Sequence, residues 1–128
     1  MTESNVARDE DQWHIHPNKQ RDRFVVAQGK ILVALYDNRK KSSTDGLLNL
    51  FLMGELKEDL GYYNLLVPRN VFHCFLVVSK KPAIIMNFPT ALYDPKEEGR
   101  IKFDQVKLKD GSFFSWNEIR EKFNPSLV

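Results

Sequence analysis

The sequence is poor in cysteine and has no long apolar run. Cys74 is the one cysteine among 128 residues, so the chain cannot form a disulfide within itself. No stretch approaches the roughly 20 apolar residues that span a bilayer as a helix, and the polar, acidic N-terminus lacks the apolar core of a signal peptide. These absences predict a soluble protein of the reducing cytoplasm that has no membrane partner.

The chain also lacks an excess of charge of either sign. It has 19 Lys and Arg against 17 Asp and Glu, and the formal net charge is +2. Nucleic-acid-binding domains gather basic residues on one face. Here the basic tract at residues 38–41 continues into a Ser-Ser-Thr-Asp-Gly segment, which is typical of a solvated loop. We therefore expect no nucleic-acid partner.

Short apolar runs separated by turn residues predict an all-β fold. Most of these runs are shorter than a typical helix, and the turn signals recur at the spacing found in sandwiches and barrels. Hydrophobic residues make up 42% of the chain, which suits one domain with a single core. The strands predicted from these runs are 24–27, 31–36, 47–53, 62–67, 71–78 and 83–88.

The segments between and around these runs carry further signals. Gly29 lies between the first two runs and predicts a hairpin turn there. Ser115 and Glu118 have the spacing of a capping box, which predicts one short helix at residues 119–123. Residues 1–12 are almost wholly polar and predict an N-terminal arm. The single folded domain is then expected to comprise residues 13–128.

The three histidines predict a functional pocket. His14 and His16 are separated by one residue, so on a strand both side chains point to the same face, about 7 Å apart. His73 lies in a later apolar run, where alternation places it on one face with Phe75 and Val77. A single buried histidine is more often a satisfied core residue. Three on strand segments favour proton transfer, for which imidazole is suited near neutral pH.

A metal site is the alternative interpretation of the same histidines. His14 and His16, with Gln20 or Asp22 downstream and His73 much later, resemble the metal-binding pattern of cupins, a His-x-His pair followed by Glu and a distant His. Three imidazoles can hold Fe, Mn or Zn and leave a position open for substrate. The protein is then a metal-dependent cupin, either an oxygenase or a small-molecule isomerase.

Three further segments carry a more specific resemblance. Residues 37–46 contain D-x-R and S-x-T-x-G, residues 68–75 read P-R-N-V-F-H-C-F, and residues 87–101 contain Thr, Tyr, Pro and Glu before an apolar run. In this order they resemble the dTDP-4-dehydrorhamnose 3,5-epimerase family. The resemblance implies a cupin-type jelly-roll barrel, a homodimer, a nucleotide-linked 4-keto-6-deoxy sugar as ligand, and no metal or other cofactor.

The resemblance also implies roles for single residues. His14 matches the family's catalytic base, and His73 is placed deeper in the pocket. Arg39 is placed either at the substrate or in a pairing within its own turn, and Tyr93 near the sugar. Asn87 stands where the family has its tyrosine acid. Because an amide cannot act as a proton-donating acid, the family's acid is missing at this position.

A related group matches the first strand better. The Trp-His-Ile-His segment that begins at Trp13, followed by Gln20, resembles the sugar 3,4-ketoisomerases, in which two histidines shuttle a proton between neighbouring carbons. We therefore predict a cofactor-free epimerase or isomerase, with a metal-dependent cupin and a non-catalytic sugar-binding barrel as alternatives. The predicted catalytic residues are His14, His16 and His73, and the predicted substrate-binding residues are Gln20, Arg39, Asn87 and Tyr93.

Overall fold

Two antiparallel sheets and a short C-terminal helix make up the fold. The computed structural model describes residues 11–55 and 63–122. Helix α1 is Trp116–Lys122, and single 3-10 turns lie at Pro95–Glu97 and Phe103–Gln105. The strands are β1 Gln12–Ile15, β2 Asp22–Gln28, β3 Lys30–Tyr36, β4 Leu48–Gly54, β5 Leu65–Val67, β6 Phe72–Val77, β7 Ile84–Asn87 and β8 Gly99–Lys102.

The larger sheet has five strands in the order β4-β3-β6-β1-β8, and the smaller has three in the order β5-β2-β7. The predicted all-β, cupin-type architecture with a short C-terminal helix is therefore confirmed. Within residues 11–55 and 63–122 the sheets are hydrogen-bonded separately and do not close into a barrel. In the same part of the chain, no helix is long and apolar enough to cross a membrane.

Strand β6 shows how the larger sheet separates two apolar cores. Its side chains alternate between the two faces of the sheet. Phe75 and Val77 pack in the core between the two sheets with Phe24 and Ile31. This is the face predicted for His73. All six residues of β6 are buried, and each large apolar side chain so buried contributes about 1.5–3 kcal/mol.

The second core lies on the outer face of the larger sheet. There the C-terminal segment packs its rings on Trp13 of β1, with centroid distances of 5.1 Å to Phe103 and 4.8 Å to Phe114. Trp116 extends this cluster by an edge contact with Phe114 at 4.9 Å. Because neighbouring residues of a strand point to opposite faces, the anchoring of Trp13 directs His14 toward the space between the sheets.

Gly29 does not form the hairpin that the sequence predicts. Strands β2 and β3, which flank it, belong to different sheets, so the chain crosses from one sheet to the other at this residue. Gly29 has φ 77°, and a Cβ atom here would lie 2.8 Å from Ser79 Oγ and 2.9 Å from Ala83 Cα. Close approach of the 79–83 segment, and not a two-residue turn, requires glycine at this position.

Several predicted boundaries shift. Strand β5 begins at Leu65, whereas the sequence predicts a strand from residue 62. Residues 63 and 64 are not in a strand, and residue 62 lies outside the described residues. The helix begins at Trp116, three residues earlier than predicted, with the Ser115 hydroxyl accepting the backbone N–H of Asn117. Residue 123 and residues 1–10 of the predicted arm lie outside the described residues, and Gln12 belongs to β1.

Candidate functional site

A cavity of about 520 Å³ contains nearly all of the predicted site residues. Apolar side chains from both sheets, among them Phe24 and Phe75, form part of its wall. Tyr93 lies in the loop after β7 and is 78% exposed, so its ring is accessible to a ligand. The polar lining residues are His14, His16, Gln20, Asp22, His73, Asn87, Tyr93, Asp94 and Glu98.

The three predicted histidines converge in this cavity. Strands β1 and β6 are neighbours in register, which places His14 opposite His73 with their ring centroids 6.1 Å apart. His16 follows the last residue of β1, and its ring lies 5.3 Å from that of His73. Phe24, from the opposite sheet, contacts the His73 ring edge-on at 6.0 Å. The imidazoles therefore lie between the sheets, close enough to exchange protons with one ligand.

Asp22 lies at the centre of this cluster. Its Oδ2 accepts from His16 Nε2 at 2.9 Å and lies 3.5 Å from His73 Nε2, while its Oδ1 accepts from Gln20 Nε2 at 2.8 Å. The side chain is 2% exposed. Burial opposes ionisation, but hydrogen bonds from the two histidines, Gln20 and Asn87 outweigh it, so the pKa of Asp22 lies well below its ordinary value.

The hydrogen bonds of His16 favour its protonated form. Nδ1 lies 3.1 Å from the carbonyl oxygen of Glu97, which can only accept, so Nδ1 carries a proton. Nε2 faces the Asp22 carboxylate, which also only accepts, and this favours a proton on Nε2 as well. Both ring nitrogens of His16 thus face acceptors, which favours its protonated form, although Nε2 also lies 3.4 Å from Gln20 Nε2. The Asp22 hydrogen bond accordingly raises the pKa of His16 above 6.5, against the lowering effect of burial.

His16, Asp22 and His73 could also supply ligands to a divalent metal. Each offers one nitrogen or oxygen atom, and these atoms lie within 4.8 Å of one another. Two imidazoles and one carboxylate are a donor set that suits non-haem iron. Of the two oxygen ligands that the sequence offers, Gln20 or Asp22, this group contains Asp22, and it differs from the predicted set in that His14 is not part of it.

Three of the four predicted substrate-binding residues line the cavity, and Arg39 does not. Gln20, Asn87 and Tyr93 line the cavity, and the Asn87 Oδ1 accepts the backbone N–H of Arg23 at 3.1 Å. That bond directs the amide N–H₂ of Asn87 away from Arg23, and Asn87 is hydrogen-bonded to the Asp22 carboxyl.

Arg39 is not among the residues that line the cavity. It donates from Nε and Nη2 to the Asp37 carboxylate, each at 2.9 Å. Ser42 and Thr44 hydroxyls donate to the same carboxylate at 2.7 and 2.6 Å. Arg39 therefore has the pairing role within its own turn, and the D-x-R and S-x-T motifs build that loop.

One buried acid at the edge of the site is absent from the sequence predictions. Glu97 is 3% exposed, and its carboxylate accepts the backbone N–H groups of Lys19, Gln20 and Asn18. These bonds lower the pKa of Glu97 to about 2. Because the partners lie more than 75 positions away in the sequence, no local pattern could have identified the contact.

The chain is similar in sequence to proteins of glycan and polysaccharide biosynthesis. A family model described as dTDP-4-dehydrorhamnose 3,5-epimerase matches residues 12–119. The chain is 38% identical over 95 residues to a probable low-salt glycan biosynthesis epimerase of Haloferax volcanii, covering 72% of this chain and 58% of that protein. It is 35% identical over 107 residues to a spore coat polysaccharide biosynthesis protein of Bacillus subtilis, covering 82% and 65%. It thus spans less than two thirds of either relative.

The fold agrees with this relationship. The crystal structure of a dTDP sugar isomerase from Desulfovibrio desulfuricans superposes with a TM-score of 0.77 at 25% identity, covering 99% of this chain and 71% of that one. The family match runs from β1 into α1 and includes all three histidines, Asp22 and Asn87. The chain therefore belongs to the dTDP-4-dehydrorhamnose 3,5-epimerase family.

Proposed function

We propose that the protein is a cofactor-free epimerase or isomerase that moves a proton on a carbon beside the ketone of a dTDP-linked 4-keto-6-deoxy sugar. The observation that carries this proposal is the meeting of His14, His16 and His73 with the buried carboxylate of Asp22 in one cavity. Family membership supports the substrate class.

The reaction needs a base and an acid at the same sugar. The base removes the proton beside the ketone, and the resulting carbanion is stabilised as an enolate whose charge lies on the ketone oxygen. An acid then returns a proton to carbon, on the other face for an epimerisation. Sites that run such chemistry near neutral pH hold two titratable groups in environments that favour opposite protonation states.

Within the cluster, His16 is suited to be the acid. The Glu97 carbonyl oxygen and the Asp22 carboxylate both accept, which favours a proton on each of its ring nitrogens. His14 points into the same cavity and has the position that the family resemblance assigns to the base. His73 shares Asp22 with His16 and carries its own proton on Nδ1, which donates to the Val71 carbonyl at 3.1 Å. The proposed roles are thus base for His14 and acid for His16, with His73 as a catalytic partner of the ion pair.

This assignment explains how turnover proceeds with Asn87 in place of a tyrosine. The Asn87 amide has no acidic proton, but its N–H₂ group can donate a hydrogen bond to a substrate oxygen. Gln20 and Tyr93 complete the proposed sugar-binding set, with the accessible Tyr93 ring packing on the ligand. The same proposal includes a cytoplasmic location and a homodimer, and sedimentation equilibrium would test the dimer.

Solvent isotope exchange tests the function directly. The protein is incubated in D₂O with dTDP-4-keto-6-deoxyglucose, and deuterium at the carbons beside the ketone is measured by NMR and mass spectrometry. We expect exchange by the wild type, its loss in His14→Gln, and no change in the surface control Glu121→Gln. A folded wild type that exchanges nothing across dTDP- and UDP-linked keto sugars contradicts the proposal and favours a non-catalytic sugar-binding protein.

The grouping of His16, Asp22 and His73 favours one second candidate, a metal-dependent cupin. Elemental analysis of protein purified without added metal separates the two. Near-stoichiometric Fe, Mn or Zn that is lost in Asp22→Asn favours the metal enzyme. Isotope exchange that persists after exhaustive treatment with a chelator favours the cofactor-free reaction.

A further inference from the structure

The connection between β1 and β2 determines how the site is assembled. It leaves the larger sheet at His16 and enters the smaller sheet at Asp22, so it brings together the two residues of the proposed ion pair. The residues between them form neither helix nor strand. Their backbone N–H groups must therefore find partners outside regular structure.

Three of these N–H groups share a single acceptor atom. The backbone N–H groups of Asn18, Lys19 and Gln20 all donate to Glu97 Oε1, at 2.9 Å for Asn18 and for Gln20. Successive N–H groups that converge in this way form a concave anion-binding nest. Here the anion is a side chain of the same protein, the buried Glu97, and the residues of the nest lie at the surface above it.

Glu97 also contacts the cluster through its backbone. Its carbonyl oxygen accepts from His16 Nδ1, the bond that leaves His16 Nε2 facing Asp22. One residue therefore holds the connection through its carboxylate and one end of the ion pair through its carbonyl group.

The surrounding turn determines where Glu97 lies. Asp94 caps the 3-10 turn by accepting from the Lys96 backbone N–H at 3.0 Å, and Pro95 begins the turn. Strand β8 starts two residues after Glu97 at Gly99, which pairs with Ile15 of β1. A Cβ atom at Gly99 would lie 2.8 Å from Ile15 Cγ2, so glycine permits this close approach.

We propose that Glu97 is a positioning residue, whose side-chain oxygen fixes the 17–21 connection so that His16 and Asp22 hold the geometry for proton transfer. This inference rests on the proposed function of the cluster. Removal of the carboxylate takes away the shared acceptor of three part-buried backbone donors, and we expect the connection to rearrange as they find other partners. A displacement of about 1 Å at a reacting group can lower a rate by on the order of 10²-fold.

Reach, and not charge, is the property that distinguishes this role. Glu97→Gln keeps an oxygen at the same distance from the backbone, whereas Glu97→Asp keeps the charge but is one methylene too short. We expect kcat within about 5-fold of wild type for Glu97→Gln, and a fall of about 10- to 100-fold for Glu97→Asp and Glu97→Ala, with KM within about 3-fold. Glu121→Gln on the exposed face of α1 is the matched control.

Two readouts do not depend on turnover. Hydrogen exchange of the Asn18, Lys19 and Gln20 amides should accelerate in Glu97→Asp and Glu97→Ala, and the ring ¹H and ¹⁵N chemical shifts of His16 should change at constant pH. Thermal unfolding establishes that each variant is folded. If the wild type catalyses no exchange, the proposed function fails, and these NMR readouts still decide the role of Glu97.

The opposite ranking overturns the inference. If Glu97→Asp had a kcat near that of the wild type and Glu97→Gln had a lowered kcat, the negative charge of Glu97 would matter and the position of its oxygen would not. A folded Glu97→Ala variant with wild-type kcat, amide protection and His16 ring chemical shifts also overturns it. If Glu97→Ala does not fold, the comparison of Glu97→Gln with Glu97→Asp decides between the two roles.

Discussion

His16 Nε2 lies 2.9 Å from Asp22 Oδ2, although the two residues adjoin strands of different sheets. The second histidine nitrogen faces a carbonyl oxygen, so both ring nitrogens have an acceptor and the protonated form of His16 is favoured. The negative charge of Asp22 stabilises that form. His14 lines the same cavity as this pair.

Substitution of Asp22 tests that pair. Asp22→Asn removes the negative charge with little change of shape, so the pKa of His16 should fall toward its ordinary value and deuterium exchange should slow by on the order of 10²-fold. The variant also leaves imidazole donors poorly matched in a buried site, which costs about 1–3 kcal/mol of the free energy of unfolding. Isotope exchange, ¹⁵N NMR titration and urea unfolding measure the three effects.

Asp104→Asn is the control for this substitution, because Asp104 is exposed and distant in sequence from the cluster. All three quantities should stay at wild-type values in the control. Unaltered His16 titration in Asp22→Asn would show that the carboxylate does not hold the proton on His16.

The pH dependence of turnover follows from the same pair. Donation by His16 requires its protonated form, whose pKa is raised above 6.5 by the Asp22 hydrogen bond against the effect of burial. Turnover by the acid should therefore persist through pH 6.5 and decline as the pH rises through this higher value. A kcat profile from about pH 4 to about pH 9 measures the decline. In His16→Gln, the residual rate should not show this decline at high pH.

The pH dependence of stability has two limbs of opposite sign. His16 has a raised pKa, so its contribution is full below pH 6.5 and is lost as the pH rises through the folded-state value. Asp22 has a lowered pKa, so its contribution is full above pH 3.8 and is lost as the pH falls through the folded-state value. The melting temperature should therefore be highest between these limits, and His16→Gln should flatten the alkaline limb.

Arg39 provides a test that separates structure from binding. Its guanidinium group is held by the Asp37 carboxylate in the loop between β3 and β4 and does not line the cavity. Arg39→Ala should lower the free energy of unfolding by about 1–2 kcal/mol through the lost charge-assisted hydrogen bonds, while KM stays within about 2-fold. The neighbouring Lys40→Ala should change the free energy of unfolding by less than about 0.5 kcal/mol. A raised KM in a folded Arg39→Ala variant would show that Arg39 does contribute to substrate binding.

Strand periodicity accounts for what the sequence predicts correctly at the site. A period of two places His14 and His73 on inward faces, and their register in adjacent strands then brings the rings together. The burial of Phe75 and Val77 between the sheets follows from the same alternation. These are local properties of short segments, so they can be predicted without knowledge of the fold.

The features that the sequence does not predict depend on contacts between distant segments. Glu97 binds backbone groups 77–79 positions away, and nothing in its own surroundings marks it as different from Glu98. Gly29 has the appearance of a hairpin glycine, because local sequence does not say that the next strand joins another sheet. The sequence suggests Asp22 only as a metal ligand, since its role as a shared acceptor depends on both histidines lying within reach.

Introduction of a tyrosine at position 87 tests whether His16 supplies the acid that the family's tyrosine would otherwise provide. The Asn87 side chain lines the cavity and is exposed, so a larger ring can be accommodated. His16→Gln should lower the exchange rate by on the order of 10²-fold, and the double variant His16→Gln/Asn87→Tyr should recover about 10-fold of it by proton donation from the phenol. His16→Gln/Asn87→Phe carries the same ring without the hydroxyl and should recover nothing. Equal recovery by both double variants would assign the effect to packing, and no loss in His16→Gln alone would remove His16 from the reaction.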